Sequence, residues 1–115
     1  MKVVALKTCD TCRKAIKALG EAGFQPEIID VRVDGLSDDD AREIVAAFGD
    51  RAVNRSSTTW RGLSEHERAQ DPMALLQAFP TLLKRPAILH DGSWSLGWKP
   101  DVQERLLGKS ARAQS

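Results

Sequence analysis

Long apolar runs, an excess of either charge and a spread of cysteines are all missing from this chain, and each absence removes a class of protein. No apolar stretch approaches the roughly 20 residues of a membrane-spanning helix, so no membrane partner is expected. Seventeen basic against sixteen acidic residues leave a formal charge of +1, and no block of like charge extends past Asp38-Asp39-Asp40. A basic stripe for direct contact with DNA or RNA is therefore not indicated. Two cysteines among 115 residues do not make a disulfide framework, and one domain of this length holds a hydrophobic core without such staples. Met1-Lys2-Val3-Val4-Ala5 runs straight into a strand pattern, without the apolar segment and cleavage site of a signal peptide. A cytoplasmic location is expected, where a close cysteine pair is more often reduced and reactive than structural.

What is present is the spacing of those two cysteines. Cys9-Asp10-Thr11-Cys12 follows the apolar Val3-Val4-Ala5-Leu6 and opens a helical pattern. A strand that hands a cysteine to the first turn of a helix sets its sulfur beside unpaired backbone N–H groups and the positive end of the helix dipole, which favours thiolate over thiol. Lys7, Arg13 and Lys14 are expected to push the same way. Two other readings compete. A zinc site needs two more ligands, and the candidates, His66 and His90, stand apart from each other and from any second pair. Alternatively the pair is inert and buried, as free cysteines commonly are. Against that, Lys7, Thr8, Asp10 and Thr11 give Cys9 the polar flanks of a surface turn.

Along the chain, Val3 to Leu6 predicts a short buried strand, Asp10 to Ala22 a helix with Ala15, Ile16 and Leu19 on one face, and Glu27 to Val31 a second strand. Strand, helix and strand within about thirty residues make a βαβ unit with parallel strands and a right-handed crossover. Ser37 before Asp38-Asp39-Asp40 predicts a capped helix start whose acids complement the dipole, with Gly49 as its stop. The capping box Ser64-Glu65-His66-Glu67 and the pair Asp71-Pro72 predict two further helices. Ser56-Ser57-Thr58-Thr59 reads as an ordinary polar loop or as hydrogen-bonding groups for an anion. Asp91-Gly92 between Ala87–His90 and Trp94–Leu96 is a hairpin signal. Pro100-Asp101 opens a last helix through Leu107, and residues 109–115 read as a flexible tail. One domain over residues 1–108, with a helical insertion at about 37–80, is the expected organisation.

Four motifs then stand in order: Cys9-Asp10-Thr11-Cys12-Arg13-Lys14-Ala15, Asn54-Arg55-Ser56-Ser57-Thr58-Thr59-Trp60-Arg61, Leu82-Leu83-Lys84-Arg85-Pro86-Ala87-Ile88, and Leu96-Gly97-Trp98-Lys99-Pro100-Asp101. On these the chain resembles the ArsC/Spx/YffB family of arsenate-reductase-like proteins over nearly its whole length, and the YffB branch most closely. The resemblance implies an α/β, thioredoxin-like fold: a mixed four-stranded sheet, β-α-β then β-β-α, with a helical insertion between the halves. It implies a thiol-disulfide oxidoreductase that is glutathione-dependent, with Cys9 as nucleophile, Cys12 as resolving thiol, no tightly bound cofactor and glutathione or protein thiols as partners. Two alternatives come with it. One is an Spx-like redox switch that binds the α subunit of RNA polymerase, and the other an arsenate reductase supplied by glutathione and glutaredoxin.

The family's reductases steady their oxyanion with arginines, and Arg85 matches one of them. In the middle motif Asn54 stands where they carry arginine, with Arg55 one place on, and Lys99 replaces the last. Lysine meets an oxyanion as a point charge, without the bidentate fork of arginine, so arsenate is expected to be held loosely. The resemblance also implies a cis Arg85–Pro86 bond facing Cys9. Arg85 is expected to bind a carboxylate or oxyanion, with Asn54, Arg55, Arg61, Lys99 and Arg13 as further candidates. Trp60 and Trp98 read as core or groove walls, and His66 and His90 as solvated surface residues.

Overall fold

Four short strands frame the unit that holds Cys9, Cys12 and Arg85. The computed structural model describes residues 1–113 and divides into two compact units, Met1–Asp30 together with the chain from Arg85 onward, and Val31–Lys84. In the first unit, β1 (Lys2–Ala5), α1 (Asp10–Glu21) and β2 (Glu27–Asp30) form the expected βαβ unit. β3 (Ala87–His90), β4 (Ser93–Leu96) and α6 (Pro100–Ala113) complete it, the labels between belonging to the second unit. The sheet order is β2-β1-β3-β4. β1 pairs in parallel with β2, Val3 opposite Ile28, and antiparallel with β3, Val3 opposite Ile88. This is the mixed four-stranded sheet that the family resemblance implied.

Valine and isoleucine at the centre of β1 and β3 suit a strand buried on both faces. Val3, Ala5, Leu19, Ile88, Val102 and Leu106 form one cluster, and Cys12 is buried within it. Burying a leucine or isoleucine side chain in such a cluster stabilises the fold by about 1.5–3 kcal/mol. The hairpin turns on Asp91 and Gly92, both left-handed at φ 51 and 76. A turn with two positive φ values matches the right-handed twist of its strands, and Asp-Gly tolerates it where bulkier residues do not. His90 departs from expectation: it is half-buried, edge-on to Phe24 at 5.4 Å, with Nε2 3.5 Å from Asp91. An imidazole presents an apolar body to a neighbouring ring and a polar tip to water, so half burial satisfies both.

α6 also departs from expectation. It continues through Gly108 to Ala113, where a flexible tail was expected over residues 109–115; Gln114 and Ser115 lie outside the described residues. An interior glycine costs a helix about 1 kcal/mol without ending it, and the lysine, alanines and arginine beyond are strong helix formers.

The second unit, Val31–Lys84, is helical: α2 (Asp38–Phe48), α3 (Thr58–Arg61), α4 (Glu65–Arg68) and α5 (Pro72–Ala78), with 3₁₀ turns at Gly49–Ala52 and Pro80–Leu82. Ser37 caps α2 through the Asp40 N–H, and Ser64 and Glu67 form the expected capping box on α4. α3 is a correction to the sequence reading. The run Ser56 to Thr59 is not an ordinary loop, because Ser57 accepts the Trp60 N–H and starts a helical turn. Four residues are too short for hydrophobic periodicity to reveal. The unit closes on itself where Val53 bridges Leu83 and the Lys84 N–H donates to Ala52 at 2.9 Å. Among the described residues no helix is long and apolar enough to cross a membrane.

Candidate functional site

β1 ends in a tight turn that delivers the first cysteine. The Cys9 N–H closes this turn on the Leu6 carbonyl at 2.9 Å, and the Arg13 N–H takes the Cys9 carbonyl as the first bond of α1. Cys9 is thereby the N-cap of α1, with extended backbone at φ −86 and ψ 123. Its sulfur stands at the helix end where N–H groups lack intrahelical partners. Cys12, one turn on, points into the core and is fully buried, whereas Cys9 is partly exposed. Both are free thiols.

The two sulfurs lie in opposite electrostatic settings. At Cys9, partial burial works against the thiolate but is outweighed by the Cys12 amide, the Cys12 thiol, the Thr11 amide and the Arg85 guanidinium, so the thiol is held below its ordinary value of 9.0. At Cys12, burial dominates, and the Leu6 amide only partly offsets it; the neighbouring Cys9 adds to the rise, which carries this thiol to about 11. The Cys12 S–H thus serves as a hydrogen-bond donor to the Cys9 sulfur. An exposed acidic thiol beside a buried protonated one divides nucleophile from reserve thiol.

Arg85 precedes Pro86 across a cis bond, as the resemblance implied. It is half-buried, while Pro86 is fully buried and its carbonyl accepts the Gly97 N–H at 2.9 Å. The positive charge acting on both cysteines is that of Arg85. The expected contribution of Arg13 takes a different form, because its guanidinium is paired with Asp10 on the exposed face of α1. Lys7 and Lys14 are exposed, and neither they nor Arg13 is among the groups that lower the Cys9 thiol. Lys99 is also exposed and immediately precedes Pro100 at the start of α6, where its carbonyl accepts the Gln103 N–H.

The middle-motif candidates belong to the second unit and are held by local partners. Asn54 Oδ1 accepts the Ser56 N–H at 3.0 Å, and its carbonyl accepts the Ser57 hydroxyl. Arg55 lies over the Trp60 ring at 5.4 Å and 3.7 Å from Asp50. Arg61 is exposed, with Thr58 Oγ1 at 3.5 Å. Arg68, not singled out from sequence, covers Trp60 at 5.6 Å and donates to the carbonyls of Trp60 and Arg61. Trp60 is thus a half-buried platform for two guanidiniums. Trp98 packs against the core cluster of the first unit, as a core or wall residue would. Among the described residues no group of three His, Cys, Asp or Glu side chains gathers to hold a metal ion.

Sequence reasoning missed Asp30. This carboxylate at the end of β2 is 5% exposed, and its Oδ2 accepts the Lys7 N–H at 3.3 Å. The one signal available was an acid at the end of an otherwise apolar strand, Ile28-Ile29-Asp30-Val31.

The family model for the ArsC family matches residues 5–106. Over 101 residues, 84% of this chain and 89% of the other, the sequence is 39% identical to a Haemophilus influenzae protein described as uncharacterized. A solved YffB protein is 29% identical, with a TM-score of 0.82 over 92% of this chain and 97% of its own. The solution structure of an arsenate reductase (ArsC) related protein from Brucella melitensis is also 29% identical, with a TM-score of 0.68 over 90% of this chain and 91% of its own.

Proposed function

This chain belongs to the ArsC family, and from that premise we propose that it is a glutathione-dependent thiol-disulfide oxidoreductase of the arsenate-reductase-like kind. The observation that carries the reading is the division between the cysteines, an acidic, partly exposed Cys9 hydrogen-bonded by a buried, protonated Cys12. The Cys9 thiolate attacks one sulfur of a disulfide or glutathione adduct, an S–S bond forms to Cys9, and the departing thiolate takes up a proton. Cys12 then loses its proton and attacks the Cys9 sulfur. A Cys9–Cys12 disulfide forms, the second thiol leaves, and two electrons have passed from the dithiol to the substrate. Two glutathione molecules return the pair to the reduced state and leave as oxidised glutathione.

Glutathione carries two carboxylates, and Arg85 beside the cysteines is the cation suited to one of them. A charge-assisted hydrogen bond of this kind contributes roughly 1.5–3 kcal/mol. Arg85→Ala is therefore expected to weaken apparent glutathione affinity about tenfold or more. It should also move the Cys9 thiol upward, because one of the groups that lower it is gone. Steady-state kinetics against glutathione concentration measure the first effect and the pH profile the second. An unchanged glutathione dependence refutes the role for Arg85.

The experiment for the function as a whole is turnover of a mixed glutathione disulfide with glutathione as reductant, run beside arsenate and beside a pull-down with the RNA polymerase α subunit. Disulfide turnover with poor arsenate turnover is expected, since Asn54 and Lys99 replace arginines of the family's arsenate pattern. Capture of the polymerase subunit without turnover, or efficient glutaredoxin-coupled arsenate reduction, overturns the reading in favour of the corresponding alternative.

A further inference from the structure

A buried carboxylate that the reaction does not use sits directly behind the turn that presents Cys9. Asp30 closes β2 opposite Ala5, the last residue of β1, in a parallel ladder. Beyond Ala5 the first chain curves through Leu6, Lys7 and Thr8 to Cys9, and the Asp30 carboxylate reaches over to accept the Lys7 N–H at 3.3 Å. Taking a carboxylate out of water is costly unless hydrogen bonds compensate it, and at 5% exposure Asp30 is out of water. An apolar residue would fill the end of a buried strand at no such cost.

Lys7 lies between Leu6, which contacts both cysteines, and Thr8, which leads into Cys9. On one side, the Leu6 carbonyl accepts the Cys9 N–H at 2.9 Å and the Leu6 amide faces the Cys12 sulfur. On the other, Thr8 leads into the N-cap position of α1. A shift of the Lys7 peptide plane therefore moves both the carbonyl that closes the turn and the residue that caps the helix. We propose that Asp30 is a positioning residue for the redox turn, its carboxylate fixing the Lys7 amide so that the Cys9 sulfur stays over the open N–H groups of α1. The assignment rests on Cys9 being the attacking thiol, and it acts through the turn without touching substrate.

Thiol acidity reads this directly, independently of any turnover. In a Cys12→Ser background, Asp30→Ala removes the acceptor, and Asp30→Asn keeps an oxygen at the same place while removing the charge. Asp30→Ala is expected to reduce the rate of Cys9 alkylation by iodoacetamide at neutral pH roughly three- to tenfold, an upward move of about half to one pKa unit. Asp30→Asn should stay within about twofold of the parent, because a side-chain amide oxygen also accepts from an N–H. A loss of thermal stability in Asp30→Ala with an unmoved alkylation profile overturns the proposal in favour of a purely structural role. Equal acceleration in both variants overturns it in favour of a through-space charge. If Asp30→Ala does not fold, hydrogen exchange on the wild type decides: a protected Lys7 amide supports the anchor, and one exchanging at the rate of an open turn overturns it. Should Cys9→Ser retain turnover, the functional reading falls while the alkylation result still stands or fails by itself.

Discussion

Cys9→Ser is expected to abolish disulfide exchange, lowering turnover by roughly a thousandfold or more, while the protein remains folded. A serine hydroxyl has no thiolate to offer and forms no disulfide, so neither the attack nor the resolving step has a substitute. The fold has little at stake in this sulfur, because Cys9 is partly exposed and a serine hydroxyl at the same N-cap position also accepts from the first-turn N–H groups of α1. Cys12→Ser should behave differently: the first attack proceeds and the intermediate stops, so that one glutathione per chain accumulates on Cys9. Intact mass spectrometry after exposure to oxidised glutathione, with circular dichroism as the folding control, checks both variants. An adduct on Cys12 in the Cys9→Ser protein that turns over at the parent rate would reverse the assigned roles.

The second large effect is a separation of thiol reactivities. Only the thiolate alkylates, so the rate climbs with pH through each thiol's pKa and levels off above it. For Cys9 that climb ends early, since its amide neighbours, the Cys12 thiol and Arg85 together outweigh partial burial and hold it below 9.0. With Cys12 at about 11 because of its burial, only roughly one thiol in ten thousand is ionised at pH 7. The Cys9-only protein should therefore react with iodoacetamide at pH 7 about tenfold or more faster than the Cys12-only protein, a narrower gap than in the parent because each variant has lost its partner thiol's share of the separation. The profile of the latter should still be rising at pH 10. Equal rates across the range would remove the division of labour on which the proposed mechanism depends.

Much of this frame was legible in the order of the residues because short-range chemistry decides it. Ser64 and Glu67 are three apart and satisfy each other's backbone partners, so the α4 start can be read without knowing anything distant. Asp91-Gly92 accepts two positive φ values where other pairs resist them, which placed the β3–β4 hairpin. What escaped was decided by residues far apart in the chain. Lys7, Arg13 and Lys14 looked like the cations of the redox loop because they are its sequence neighbours, yet the one that acts on the sulfurs, Arg85, arrives on the far side of the inserted unit. Its part was implied by family resemblance and not by local pattern. Asp30 had no comparable signal, since an acid ending a strand ordinarily faces water and only the ladder with β1 reveals its burial. The α3 turn and the continuation of α6 through Gly108 failed for a third reason, being too short or too weakly punctuated for periodicity to register.

The closure of the Val31–Lys84 unit on itself makes it a cassette with two seams. Those seams fall at Asp30, on β2, and at Arg85, just before β3, and because β1 runs between these strands they lie about two strand spacings, or roughly 10 Å, apart. A splice at that separation leaves the sheet's register untouched, so an insert of another length can join the same two strands. The seams themselves do not have that latitude. One holds the Lys7 amide and the other acts on Cys9, which means that the sites where recombination would be easiest are the sites where drift would be felt first at the sulfur.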